Sequence, residues 1–362
     1  MGRKRRYMSW LAGLLAVALA AAACNTSGGA GAATSDEESP AAQIGGSGRE
    51  VIRFTFAPDP VWDYLKDTGE LAQWEEDNNL RIVTTESWDE YGEFAGGQGH
   101  IVSTSTHELP GLEEEAGVEL VAFGKYNHER VPLIRNAGDG YETLEDVPAG
   151  STTCANSAVS NTIAWSVIAD QLHGIDYRVG EGRFNIAVHD HFAMPEMVTN
   201  GECTIAAPIP EAAAPLLRTG ELEMMYGGKA PWQLYQDICE CDHKGIMSNL
   251  FVARQDWYNS HSEEVAAFLQ LWEHGLELWR DNKREIVSLY LQHFAVETEE
   301  DIDWMIDFME REEGEADWFT DTVYMDQAWI DEEVKFYDLM KESGWMNRDA
   351  EIPQFEALTP PS

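Results

Sequence analysis

What most constrains the fold of this chain is an alternation. From Val51 to Gly220, short apolar or β-branched runs are separated by helical stretches, many of them closed by glycine. "VIRFTFA" (51–57), "LRIVTT" (80–85) and "HIVSTST" (100–106) read as strands. Between the first two, "PDPVWDYLKDTG" reads as a helix, with Pro60 near its start and Gly69 at its end. Proline needs no N–H donor in a first helical turn, and glycine tolerates the left-handed exit. "ESWDEYGEFAGGQG" is a second, short helix, an acidic helix runs up to Gly117, and "VELVAF" (118–123) and "VPLIR" (131–135) are further strands. Strands spaced by helices cannot pair as hairpins, so the pattern implies parallel pairing and an α/β sheet.

A second unit repeats the scheme. "STTCAN" (151–156), "FNIAV" (184–188) and "CTIAAP" (203–208) are strands. The intervening helices are Ser157–Leu172 and "FAMPEMVTNG", and "PEAAAPLLRTG" follows, ending at Gly220. "LEMMYGG" and "IMSNLFVAR" read as strands leading back to the first unit, and from Ser262 the chain is helical. Ser262 with Glu263 and Glu264 makes a helix start with an acidic first turn, which complements the helix dipole. The Trp and Leu positions of "SEEVAAFLQLWEHGLELWRD" have amphipathic spacing and are assigned to the core.

The N-terminus fixes a compartment. A basic head (Arg3, Lys4, Arg5, Arg6), an apolar run from about Trp10 to Ala23, and Ala21-Ala22-Ala23-Cys24 describe an export signal with a bacterial lipobox. The apolar run falls short of the ~20 residues that span a bilayer. Asn25–Gly48 is mostly Gly, Ala, Ser and Thr, a composition suited to a flexible leash after a lipidated Cys24. The formal charge is −41 with 65 acidic against 24 basic residues, a surface that repels nucleic acid and suits a salty medium that screens self-repulsion. An exported chain with Cys154, Cys203, Cys239 and Cys241 is expected to form disulfides. Cys154 and Cys203 fall in strands of one small sheet and are the expected pair, whereas Cys239-Glu240-Cys241 reads either as a tight bridge or as part of a soft-metal site.

From about Val51 to Met346 the chain resembles type II solute-binding proteins of ABC importers, nearest the nitrate/sulfonate/taurine and thiamine-precursor group. The resemblance is carried by "FTFAPDPVWDYLKDTGELAQWEEDNNLRIV", the domain-entry phrase "YETLEDVPAGSTTCAN", "EMVTNGECTIAAPIP" and "VARQDWYNSHSEEVAAFLQLW". It departs where Pro148-Ala149 replaces the usual Gly-Lys, and where Cys203 stands near a common aspartate. The resemblance implies an α/β, two-lobed periplasmic-binding-protein type II fold with two crossover strands and a helical C-terminal region. The implied division is a signal peptide over 1–23, a lipidated cysteine and linker over 24–49, a first lobe of 51–127 plus 223–346, a second lobe of 128–222, and a tail of 347–362. It also implies a monomer that delivers a small polar or heterocyclic/sulfonate-type solute to permease subunits, held to the outer face of the cytoplasmic membrane by its lipid, with no catalysis and no cofactor.

Ligands of open α/β sheets bind beyond the carboxyl ends of strands, at helix N-termini. That rule nominates five loops: Pro58-Asp59-Pro60 with Trp62; Ser105-Thr106-His107; Asn156-Ser157; His189-Asp190-His191-Phe192; and Pro208 with Glu211. Trp88, Tyr91 and Trp232 are candidate aromatic walls. Several have plainer roles open to them: Asn156 and Ser157 as helix caps, Trp62 as core packing, the histidines as ordinary hydrogen-bonding groups. On an extended segment His189 and His191 share a side, where they could ligate a metal or, protonated, grip an anion. Arg and Lys are scarce in the five loops, which places a polar, aromatic or heterocyclic solute ahead of an oxyanion. No G-x-S-x-G, H-E-x-x-H, P-loop or G-x-G-x-x-G occurs, so hydrolytic, phosphotransfer and dinucleotide chemistry have no motif. A ligand-sensing domain, or a pyrimidine-precursor enzyme of the same fold, are the rival readings.

Overall fold

The computed structural model describes residues 48–97, 99–180, 182–310 and 319–360. The expected signal peptide, Cys24 and all but the end of the linker lie outside them. Among the described residues, no helix is long and apolar enough to cross a membrane.

Two mixed sheets organise the chain. Strands numbered in chain order are β1 (Glu50–Phe56), β2 (Leu80–Glu86), β3 (Ile101–Thr104), β4 (Leu120–His128), β5 (Ile134–Asn136) and β6 (Thr152–Ala155). They continue as β7 (Asn185–Val188), β8 (Ile205–Ala207), β9 (Leu222–Met224), β10 (Met247–Arg254) and β11 (Gln354–Phe355). The first sheet has the order β11-β4-β10-β3-β1-β2, and the second β7-β6-β8-β5-β9. The alternating part of each is parallel, as the sequence predicts: β1 with β2 and β3, and β6 with β7 and β8. Where the chain crosses between sheets the pairing is antiparallel instead, β10 with β3 and β4, and β5 with β8 and β9. A crossing strand enters its sheet from the opposite end, which local periodicity cannot register.

Two boundaries move for stated reasons. The strand expected to stop at Phe123 runs on through "GKYNH" to His128, buried throughout, because its polar groups find partners. Lys125 Nζ donates to the Thr322 carbonyl at 2.7 Å, and Tyr126 shares a 2.8 Å hydrogen bond with Ser103. The return to the first sheet comes at Met247, later than the expected Glu223, since β9 still pairs with β5. After Met346 the chain lays β11 against β4 in parallel.

The first core is aromatic. Asp59 caps the helix Pro60–Asp67 by accepting from the Val61 and Trp62 amides at 2.9 and 3.1 Å. That start turns Trp62 inward, where it stacks on Trp272 at 5.8 Å and meets Phe54 and Phe56 edge-on. Large aromatic side chains bury 150–250 Å² each, so this cluster dominates the first lobe's stability. Its partner Trp272 belongs to the helix Ser262–Leu289, whose apolar stripe is core as its spacing predicts. The second core is smaller, built on Trp165, Tyr177 and Phe184, and the structure joins Cys154 to Cys203 beside it with Cα atoms 5.9 Å apart. Cys239 and Cys241 are also joined, resolving the two readings of that triplet in favour of a bridge.

Candidate functional site

Four of the five nominated loops place a nominated residue on one cleft between the sheets, of about 560 Å³, and the fifth reaches it through Ile209. The first side supplies Asp59, Trp88, Asp89, Glu90, Tyr91, Ser105 and Glu108 from the ends of β1, β2 and β3. The second supplies Asn156, Ser157, Ser160 and Asn161 after β6, His191 and Phe192 after β7, and Ile209 after β8. The crossing segments contribute Tyr126, Glu129 and Arg130 from one and Ser248 and Asn249 from the other.

Of the residues nominated from sequence, Asp59, Ser105, Asn156, Ser157 and His191 line this cleft, with Trp88 and Tyr91 as walls. Pro58 and Phe192 of the nominated loops line it as well, and the remaining candidates lie elsewhere. Trp62 is core, 1% exposed. Trp232 is buried outside the cleft, stacked on His128 at 5.0 Å. Thr106 and His107 turn away from the cleft toward the crossing strands. The Thr106 hydroxyl donates to the fully buried Glu333, which also accepts from the Met247 amide at 3.1 Å and pairs with His243 at 2.7 Å. His107 sits behind the cleft wall, 3.7 Å from Glu129, and burial pushes its pKa down to about 3, so it is a neutral ring. Glu211 acts one step removed: buried, it accepts from Arg130 Nε at 3.1 Å. His189 is not in the cleft lining; its backbone amide extends the β6–β7 ladder to Ala155. His191 is in the lining, but its Nδ1 accepts from the Ile209 amide at 3.1 Å and burial lowers its pKa to about 4. A protonated two-histidine grip on an anion is therefore not formed. Among the described residues, no group of three His, Cys, Asp or Glu side chains is disposed to hold a metal ion.

Asn156 and Ser157 also do not cap the following helix, which begins at Asn161. The intervening turn carries Ser160 at φ 50°, ψ −138°, a conformation glycine favours, on the cleft surface. Backbone held there costs about 1–3 kcal/mol and clusters at functional sites.

The cleft's carboxyls are unusual in their ionisation. Burial pushes Asp59 up to about 6 in spite of its two amide donors. Burial, with Glu108 and Asp89 nearby, pushes Glu90 up to about 8. Burial raises Glu129 to about 7 against the opposing bond from Ser248 and the charge of Arg130. Sequence reasoning missed Glu129 and Arg130 because they lie in a crossing segment rather than a strand-end loop. The signal available was a run of polar residues, "KYNHER", inside an otherwise apolar stretch.

No family model matches the sequence, and no curated protein matches it. Solved structures do match over most of their length. The periplasmic aliphatic sulphonate binding protein SsuA from Escherichia coli superposes with a TM-score of 0.64 at 12% identity, over 86% of this chain and 94% of that one. The chain has the type II periplasmic-binding-protein fold. The alkanesulfonate-binding protein SsuA from Xanthomonas axonopodis bound to MOPS gives 0.63 at 10% identity, over 83% and 96%. A zinc-bound ligand binding component of an ABC-type import system from Staphylococcus aureus gives 0.58 at 16% identity, over 85% and 97%. At these identities the likeness establishes the fold alone, and the chemistry has to be read from the cleft.

Proposed function

We propose that this protein is an extracytoplasmic solute-binding lipoprotein, tethered through Cys24, that captures a small polar or heterocyclic solute between its sheets and delivers it to an ABC permease. The observation that carries the reading is convergence: strand-end loops from both sheets meet on one cleft whose floor is formed by the crossing segments. Such a cleft can close by rotation about the crossings, and a solute that touches both sides favours the closed form by the contacts made only there. Trp88 from the first side already lies 6.1 Å from His191 of the second, across the mouth. Of the solved structures it resembles, one is named as the ligand binding component of an ABC-type import system and another as a periplasmic sulphonate binding protein, which supports a receptor over an enzyme. A sensing role for the same cleft is the alternative, and the genes beside this one separate the two, because a permease and an ATPase imply import.

The test is thermal unfolding of the purified chain in high salt with a panel of alkyl sulfonates, nitrate, aromatic acids, pyrimidines, amines and divalent metals. A ligand at 100-fold its Kd adds about 2.7 kcal/mol to stability. An upward shift with one chemical class is the expected result, and an unmoved midpoint across the whole panel counts against solute capture.

A further inference from the structure

The polar groups facing the cleft are unbalanced. Among the described residues five carboxyl side chains line it: Asp59, Asp89, Glu90, Glu108 and Glu129. Against them stands the guanidinium of Arg130, engaged by Glu211 at 3.1 Å and by Asn127 at 2.9 Å. Of the lining histidines, His191 accepts the Ile209 amide at 3.1 Å, and His293 is paired with Asp63 at 2.9 Å.

A second, independent sign comes from the other side. Asn161 lines the cleft at 3% exposure, and its Nδ2 donates to the Ala207 carbonyl at 3.3 Å. That bond fixes the amide so that Oδ1 is the free end, and Oδ1 has no partner among the described residues. A buried acceptor without a donor is costly, so this oxygen calls for an N–H or O–H from a bound molecule. Residues that carry acceptors thus line the cleft on both sides, with exposed aromatic surface at Trp88 and Phe192 and the half-buried Tyr91 between them.

Resting on the receptor reading above, we propose that the solute is an organic cation, an ammonium, amidinium or protonated heterocyclic base. Its N–H groups donate to Asn161 Oδ1 and the cleft carboxylates, and its apolar body lies against the aromatic walls, an arrangement cation–π attraction reinforces. The raised carboxyls give this a pH signature. Glu90 faces Glu108 and Asp89; Asp59 faces Asp63 and His293; Glu129 faces His107, Arg130 and Glu108. A bound cation draws these carboxyls toward ionisation and expels protons, so its affinity rises from pH 6 to pH 8. An anion would need them protonated, and its affinity would fall over the same range.

The experiment uses two charge-matched triads on the purified chain: benzamidinium, benzamide and benzenesulfonate, then hexylammonium, hexanol and hexanesulfonate. Binding is read by thermal shift and tryptophan fluorescence at pH 6 and pH 8. The expected result is at least tenfold tighter binding of the cation than of its neutral or anionic partner, stronger at pH 8. Glu90→Gln should weaken the cation about tenfold and not weaken the sulfonate. A sulfonate that binds as tightly as its cation, or a neutral solute from the wider panel that binds when both cations fail, overturns the cation assignment and leaves the receptor reading standing. No shift with any triad member or any member of the wider panel overturns both.

Discussion

The two sides of the cleft differ in what they show to a solute and in what holds them. The first side presents carboxylates and rests on a large aromatic core around Trp62, Trp272 and Phe54. The second presents two amides, two hydroxyls and a neutral histidine, and rests on a smaller core beside the Cys154–Cys203 pair. On the reading proposed above, attraction falls to the first side and orientation to the disulfide-braced second.

The largest effect should come from removing that brace. With a sequence separation of 49 residues, loop-closure entropy assigns the Cys154–Cys203 pair about 4 kcal/mol. The Cys154→Ala/Cys203→Ala double variant should lower the thermal midpoint accordingly; an unchanged midpoint would show that the second side needs no brace. Next in size is Glu129. Its carboxyl binds its proton more tightly folded than unfolded, so stability is lost as pH rises from the unfolded value near 4.5 to the folded value near 7. The shift corresponds to about 3 kcal/mol. His107, also buried, works in the opposite sense, gaining stability up to about pH 6.5, so the reading must be differential. Glu129→Gln should improve relative to the parent chain between pH 5 and pH 8, and a pH-independent difference would deny the buried charge.

Smaller effects separate the sides by binding, and Asn161→Ala also gives up the buried bond to the Ala207 carbonyl. Asn161→Ala should weaken solute binding about tenfold, the worth of a hydrogen bond to a charged donor of about 1.5 kcal/mol. Trp88→Ala should weaken it less, by about 0.5–1.5 kcal/mol, while leaving stability unchanged because Trp88 is 59% exposed. If Trp88→Ala instead unfolds the chain, the first side is not a preformed surface.

Trp62 and Trp88 show how far the sequence could be read. Both follow a strand near a helix start, so position alone nominates both, yet one is sealed in the core and the other stands at the mouth. Which way a side chain turns depends on the cap: Asp59 and Pro60 set the helix so that Trp62 faces the sheet. Parallel pairing in the two alternating halves was legible, because period-2 and period-3.6 patterning is local, whereas the two lobes and their cleft came from the family resemblance. The antiparallel crossings were not, and with them went Glu129, Arg130 and the buried Thr106–Glu333–His243 network, whose members are joined over a separation of 227 residues. Asn161 was hidden differently: the helix was expected to start four residues earlier, and the turn holding Ser160 has no sequence signature, since it lacks the glycine its backbone favours.

The short strand β11 has a consequence for solubility. Without it β4 would be an outer strand, apolar along Leu120–Phe123, with its backbone N–H and C=O groups open to another chain. Open edges of that kind invite sheet-to-sheet self-association. Two residues of β11 cover part of that edge and expose little of their own, with Pro353 just before and Glu356 just after to discourage further strand addition. The last turn of the chain thus acts as a guard rail: it lets a long buried strand serve the cleft without offering molecules a surface on which to stack.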